Sequence, residues 1–235
     1  MRLKIIQVFI SFICTGTLAA QPNGMVIGGK WADQIAISDV NGRPFENRYA
    51  DVTGSPYFDA GYKFAKIILK EGKRFTNIQT KVNLLTQETV FITANEKEAY
   101  LQAGMVKEIA YADSTDKGIL QYKFQTGYPA VDKQTTNNFY QVLAEGRCSL
   151  LKSITKNISE RKSELSGEIA KEFEATENYY LFANNEMKRL KKDKAFILSQ
   201  LADKQVELDQ FIQSNKINCR NTADLIKLFT FYNSL

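Results

Sequence analysis

The chain has 235 residues, a formal charge of +5 and ordinary apolar and charged fractions of 44% and 24%, enough for one large domain or two small ones. It contains no His, which excludes Ser-His-Asp and Cys-His nucleophile systems, His-containing zinc sites and the commonest general acid or base. So small a net charge gives no reason to expect nucleic acid or an anionic membrane as partner.

Residues 1–20 read as a signal peptide. Arg2 and Lys4 form a positive start, Ile5 to Cys14 an apolar run, and Thr17-Leu18-Ala19-Ala20 offers cleavage after Ala19 or Ala20. The apolar run is shorter than the about 20 residues that span a bilayer. A lipid-modified Cys14 is disfavoured by the bulky Ile13 before it. The expected protein is exported, periplasmic or associated with the outer envelope. Loss of Arg2 and Lys4 lowers its charge by two, to +3. No later stretch is apolar enough for a membrane helix, so the mature chain is expected to carry no transmembrane segment.

Residues 21–60 form a lead-in segment. Gly28-Gly29-Lys30 lacks the Gly-Lys-Ser/Thr ending of a phosphate loop. Asn41-Gly42 signals a turn. Pro56 forces Ser55 into an extended conformation, and Tyr57 and Phe58 are read as anchors at the rim of a sheet.

Residues 61–190 are expected to be an antiparallel β domain. Lys63 to Ala94 reads as a three-strand meander with turns at Lys70-Glu71-Gly72-Lys73 and Thr86-Gln87-Glu88. Period-two alternation places Thr76, Ile78, Thr80, Val82 and Leu84 on one face, and Asn77, Gln79, Lys81 and Asn83 on the other. Asn95 to Glu98 is a polar turn. Strands follow over Ala99 to Ala103 and Met105 to Tyr111, the second with Met105, Lys107, Ile109 and Tyr111 on one face. Residues 112–118 read as a solvated loop, because Asp113 and Asp116 lack calcium-loop spacing. Ile119 to Phe124 is a strand, and residues 125–138 a polar loop. Phe139 to Glu145 and Cys148 to Lys152 form a hairpin across Gly146-Arg147.

Lys152 to Asn178 is dense in Lys, Glu and Ser. Ile154, Ile158, Leu165, Ile169 and Phe173 recur at roughly helical spacing, and Gly167 interrupts them. The favoured reading is an excursion between strands, the other a partly exposed helix. Tyr179 to Leu190 is a hairpin turning at Asn184-Asn185. Lys188, Arg189, Lys191, Lys192 and Lys194 form a basic cluster, read as a solvated helix start.

Residues 191–235 are expected to form a pair of amphipathic helices. The first covers 191–214, with Ile197, Leu201, Leu208 and Ile212 as its stripe. The second, capped by Asn221 or Thr222, presents Leu225, Leu228, Phe229, Tyr232 and Leu235. They should pack on the sheet or on a partner, since each is marginal alone. The fold class is therefore α+β, a mostly antiparallel sheet of meander or sandwich type with a C-terminal helical hairpin. Cys148 and Cys219 remain after the leader, and an oxidising compartment would allow them to pair.

Gly54-Ser55-Pro56-Tyr57, KIILKEGKRFTNIQTKVNLLTQETVFI, FYQVLAEGRCSLLK and LIKLFTFYNSL together resemble a family of uncharacterised exported proteins of Gram-negative bacterial envelopes. The resemblance covers most of the mature chain. It implies export and a sheet-plus-helix fold, and implies no activity.

The functional expectation is an exported, non-enzymatic binding or structural component of the cell envelope, with another envelope protein as its partner. No catalytic, cofactor-binding or metal residue is singled out, and no cofactor is expected. The alternative is a carboxylate-dependent hydrolase such as a glycosidase. Asp59, Glu71, Glu88, Asp113 and Asp116 are among its candidate acids, and nothing in the sequence selects a pair.

Overall fold

The computed structural model describes residues 49–115, 118–162 and 167–235. The expectations for the leader, for Gly28 to Lys30, for Asn41-Gly42 and for Asp116 lie outside them. The described chain contains β1 (Val52–Thr53), β2 (Lys63–Leu69), β3 (Arg74–Val82), β4 (Thr89–Ile92), β5 (Glu98–Leu101), β6 (Val106–Thr115) and β7 (Gly118–Gln125). It continues with β8 (Tyr140–Ala144), β9 (Ser149–Lys162), β10 (Ile169–Ala183) and β11 (Glu186–Arg189). Helices α1 (Lys194–Gln200), α2 (Gln205–Ser214) and α3 (Thr222–Ser234) follow, with a 3-10 turn at Ala202–Lys204.

All eleven strands belong to one sheet, in the order β1-β10-β9-β8-β7-β6-β2-β3-β4-β5, with β11 also on β10. Every pairing is antiparallel except β1 on β10. The α+β class and the mostly antiparallel sheet hold. The sheet curls. β8, β7, β6 and β2 separate β9 from β3, yet the Lys156 backbone N–H donates to the Leu84 carbonyl at 3.0 Å. The Phe139 N–H likewise reaches the Gln87 side-chain oxygen at 2.9 Å. Curling of this kind buries an apolar interior that a flat sheet would leave wet. Ile67, Phe75, Val82, Ile109 and Phe124 fill it, joined by Phe139 and by Ile154 of β9.

Three bulges set which side chains the sheet buries on each face. Ala65 faces Ile78 and Ile67 faces Phe75, so β3 carries one extra residue, with Asn77 at φ 60°. The expected alternation is right from Ile78 to Leu84 and fails before the bulge. Phe75 is buried there, and Thr76 is not. Ile68 faces Glu108 and Leu69 faces Val106, so β6 has its own extra residue. Val106 is buried and Lys107 exposed, contrary to the face expected from Met105 to Tyr111. Between Val142 and Ala144 a third bulge divides β8. An inserted residue reverses parity, and a one-residue slip sends every side chain to the other face.

The reading of residues 152–178 is corrected. Residues 152–162 and 169–178 form the distal parts of β9 and β10, two strands registered from Ile169 opposite Lys162 to Phe182 opposite Ser149, and Leu165 lies outside the described residues. Apolar spacing of four residues satisfies a helix, but four is also twice the strand period. Ile158 sits opposite Phe173, and Arg161 pairs with Glu172 at 2.8 Å. Cross-strand pairs of this kind hold an otherwise exposed ribbon together. The loop expected at 112–118 is also shorter than expected, because β6 runs to Thr115 and β7 begins at Gly118.

The hairpin at Asn184-Asn185 is as expected. Ala183 faces Glu186, and the two Asn residues have φ 51° and 60°, the left-handed pair that a two-residue hairpin turn needs. The helix expected over 191–214 is instead two helices, since Leu201 leaves helical geometry at φ −112° and ψ 40°. Asp193 caps α1 by accepting from the Phe196 N–H at 2.9 Å, and Asn221 caps α3 by accepting from Ala223 and Asp224. All three helices cover one face of β8–β10, where Leu150, Leu181, Ile197, Leu208, Leu228 and Phe229 share a core. Tyr140, Leu151 and Tyr180 form a smaller cluster with the 125–138 loop residues Tyr128 and Val131.

Cys148 and Cys219 are both buried free thiols in the helix–sheet core. Among the described residues no helix is long and apolar enough to cross a membrane, which says nothing about strands.

Candidate functional site

A cleft of about 550 Å³ opens beside the lead-in segment. It lies against the outward face of β5 and is lined by Tyr49, Tyr57, Tyr100 and Phe173 together with Glu88 and Glu98. β5 supplies Glu98 and Tyr100 because its other two side chains, Ala99 and Leu101, are buried in the interior. Period two thus commits alternate residues to the cleft.

The opposite wall is built by the lead-in. Tyr57 bridges Asn83, and the Asn83 side chain accepts from the Leu85 and Thr86 N–H groups at 2.9 and 3.1 Å. This Asx turn fixes the loop that carries Glu88. The Lys156 ammonium donates to the carbonyls of Ser55 and Tyr57 at 2.7 and 2.8 Å, and burial pushes its pKa down. Phe58 turns the other way, edge-on to Phe124 at 4.9 Å. Of the two expected rim anchors, Phe58 packs in the core while Tyr57 faces the cleft. Tyr49 meets Phe173 edge-to-face at 5.3 Å. Gly54, at φ 95°, makes the positive-φ turn beneath Phe173.

Charge is organised around Lys81. Its ammonium lies 3.9 Å from the Tyr62 ring centre and 4.7 Å from that of Tyr57, and 3.9 Å from Glu98. Both hydroxyls near Glu98 donate to it, Tyr100 at 3.2 Å and Tyr62 at shorter range. Burial, and then the hydrogen bond to Glu98, raise the Tyr62 phenol strongly. Tyr57 is raised by burial first and by the Glu98 charge second. Glu88, half-buried, accepts from the Thr86 hydroxyl at 2.8 Å. Among the described residues the lining presents aromatic faces, two hydrogen-bond-accepting carboxylates and no Lys or Arg.

The other acids considered from sequence are scattered. Asp59 and Asp113 share Lys63 at 3.4 and 3.0 Å, and Glu71 pairs with Lys73 in an exposed turn. Of those among the described residues, only Glu88 reaches the cleft. The sequence places Glu98 only at the end of a polar turn. Its signal was its alternation with buried Ala99. Tyr179 and Tyr180 are structural, pointing into different clusters. The basic cluster is engaged within the molecule. Lys192 lies over Tyr179 at 3.6 Å and Lys191 over Phe196 at 5.7 Å. Lys188, Arg189 and Lys194 pair with Glu186, Asp132 and Asp209.

Comparison with family models, curated proteins and solved structures gives no match.

Proposed function

We propose that this protein is an exported, non-enzymatic binding component of the cell envelope, and that the cleft beside Tyr57 engages its ligand or partner. The cleft itself carries the reading. Its volume of about 550 Å³ falls in the range of small-molecule sites. Its walls are fixed by Lys156 and by the Asn83 turn, so its tyrosines are ordered before anything binds. Export rests on the sequence of residues 1–20, and the envelope assignment on the resemblance noted above.

The experiment is capture from the envelope fraction of the source cells, using the wild type and a Tyr57→Ala/Tyr100→Ala variant with unchanged far-UV circular dichroism. A ligand or protein retained by the wild type and lost by the variant supports the reading. Equal capture by both, or capture by neither, removes the cleft from the function. Recovery of the native protein from the cytoplasm alone would remove export.

A glycosidase is the second reading, because Glu88 and Glu98 line one cleft. It requires one carboxyl that donates a proton. Glu98 accepts from two tyrosine hydroxyls and Glu88 from Thr86, roles that suit carboxylates holding a ligand. Release of sugar from envelope glycans, abolished by Glu88→Gln or Glu98→Gln, would establish hydrolysis in place of binding.

A further inference from the structure

We infer that the cleft takes a cationic ligand, whose primary ammonium or guanidinium group seats against Glu88 beside the tyrosine rings. This rests on the cleft being the binding site proposed above, and adds the chemistry of what enters it.

The argument begins with how local charges are already committed. Lys81 is the cation beside Glu98, and its side chain is only 12% exposed. It stacks on Tyr62 and Tyr57 and partly neutralises Glu98. Lys156 spends its donors on the Ser55 and Tyr57 carbonyls. Neither reaches Glu88. Among the described residues no Lys or Arg lies within ion-pair distance of the Glu88 carboxylate, whose side-chain partner is the neutral Thr86 hydroxyl. A half-buried carboxylate has lost part of its hydration, so an incoming positive charge gains more there than at the open surface. The second carboxylate adds attraction for cations and repulsion for anions.

The rings supply the rest. Tyrosine faces attract ammonium and guanidinium groups, and Lys81 between Tyr57 and Tyr62 demonstrates that geometry within this wall. A neutral sugar would stack on the rings and leave the Glu88 charge unanswered. Two sources carry the same chemistry, a small polyamine or a Lys or Arg side chain of a polypeptide.

Titration calorimetry on the intact protein separates these possibilities. The probes are spermidine, an end-blocked Arg-Gly-Arg peptide, neutral chitotriose and citrate. The expected result is binding of a cationic probe, weakened tenfold or more by Glu88→Gln and weakened by raising salt from 50 to about 500 mM, as screening requires. The salt series uses the wild type alone, so it stands even if the variant folds poorly. Tighter binding of spermidine points to a free amine, and tighter binding of the peptide to a polypeptide side chain. Either supports the inference. Chitotriose or citrate binding without the cations overturns it and leaves the cleft as a binding site. Cation binding unchanged by Glu88→Gln and by salt overturns it, and so does no binding of any probe at millimolar concentration. Capture lost in the Tyr57→Ala/Tyr100→Ala variant reports on the cleft independently.

Discussion

The Lys156 ammonium donates a 2.8 Å hydrogen bond to the Tyr57 carbonyl, so a strand from the far part of the sheet holds the wall of the cleft. The two residues are 99 positions apart, and only the curl of the sheet brings them together. Replacing Lys156 by Met keeps the aliphatic stem and removes the charge and both donors. Hydrogen bonds from charged groups contribute about 1.5–3 kcal/mol each. Because burial already opposes the Lys156 charge, we expect Lys156→Met to lower stability by only about 1–2 kcal/mol. Ligand capture should fall roughly tenfold as the Pro56–Tyr57 wall loosens. Denaturant titration and the capture assay measure the two effects separately, and undiminished capture would refute the role of Lys156.

Gly146 and Asn233 form a second long-range clasp. The Asn233 side chain accepts from the Cys148 N–H and donates to the Cys148 carbonyl, both at 3.0 Å, so α3 is stapled to the β8–β9 turn. A Cβ on Gly146 would sit 2.5 Å from the Asn233 Cγ. We expect Gly146→Ala to cost about 2–4 kcal/mol, through overpacking and two lost hydrogen bonds. Asn233→Ala should cost about 1–3 kcal/mol, and the double variant less than the sum, because the clash disappears with its target. Midpoints of urea unfolding for the three variants test this, and strict additivity would contradict it.

Stability should fall at alkaline pH partly through Cys148. Burial pushes its thiol from 9.0 up to about 11. A raised acid binds more protons folded than unfolded, so its contribution is complete below pH 9 and is lost between pH 9 and pH 11. The size is about 2–3 kcal/mol. Cys148→Ala should flatten that part of the stability–pH curve, while tyrosine titration leaves a decline at higher pH in both proteins. Identical curves from pH 9 to 11 would show that Cys148 makes no such contribution.

Ending the chain at Ser214 removes α3, with Leu225, Leu228 and Phe229 at 0% exposure. Their partners Leu150, Leu181 and Ile197 would then face water. We expect the shortened protein to bind a hydrophobic dye and to lose cooperative unfolding, and Phe229→Ala in the full chain to cost about 3–5 kcal/mol. A shortened protein that melts cooperatively would make the last helix a separable docking element.

Much of this architecture was legible because it is local. Strands β2 to β4, the turns at Gly72 and Asn184-Asn185, and the Asn221 cap follow from alternation, backbone preference and side-chain hydrogen bonding within a few residues. The absence of His, fixed by composition alone, removed whole classes of chemistry.

Tertiary structure decided everything that depended on a distant partner. The bulge at Asn77 reverses which side of β3 is buried, and no local rule announces an extra residue in a ladder. Ile154, Ile158, Ile169 and Phe173 fit helix and strand alike, and the register of β9 on β10 chose the strand. The cleft was invisible for the same reason. Tyr57, Glu88, Glu98 and Phe173 are separated along the chain, each unremarkable alone, and only the curl of one long sheet sets two carboxylates among four rings.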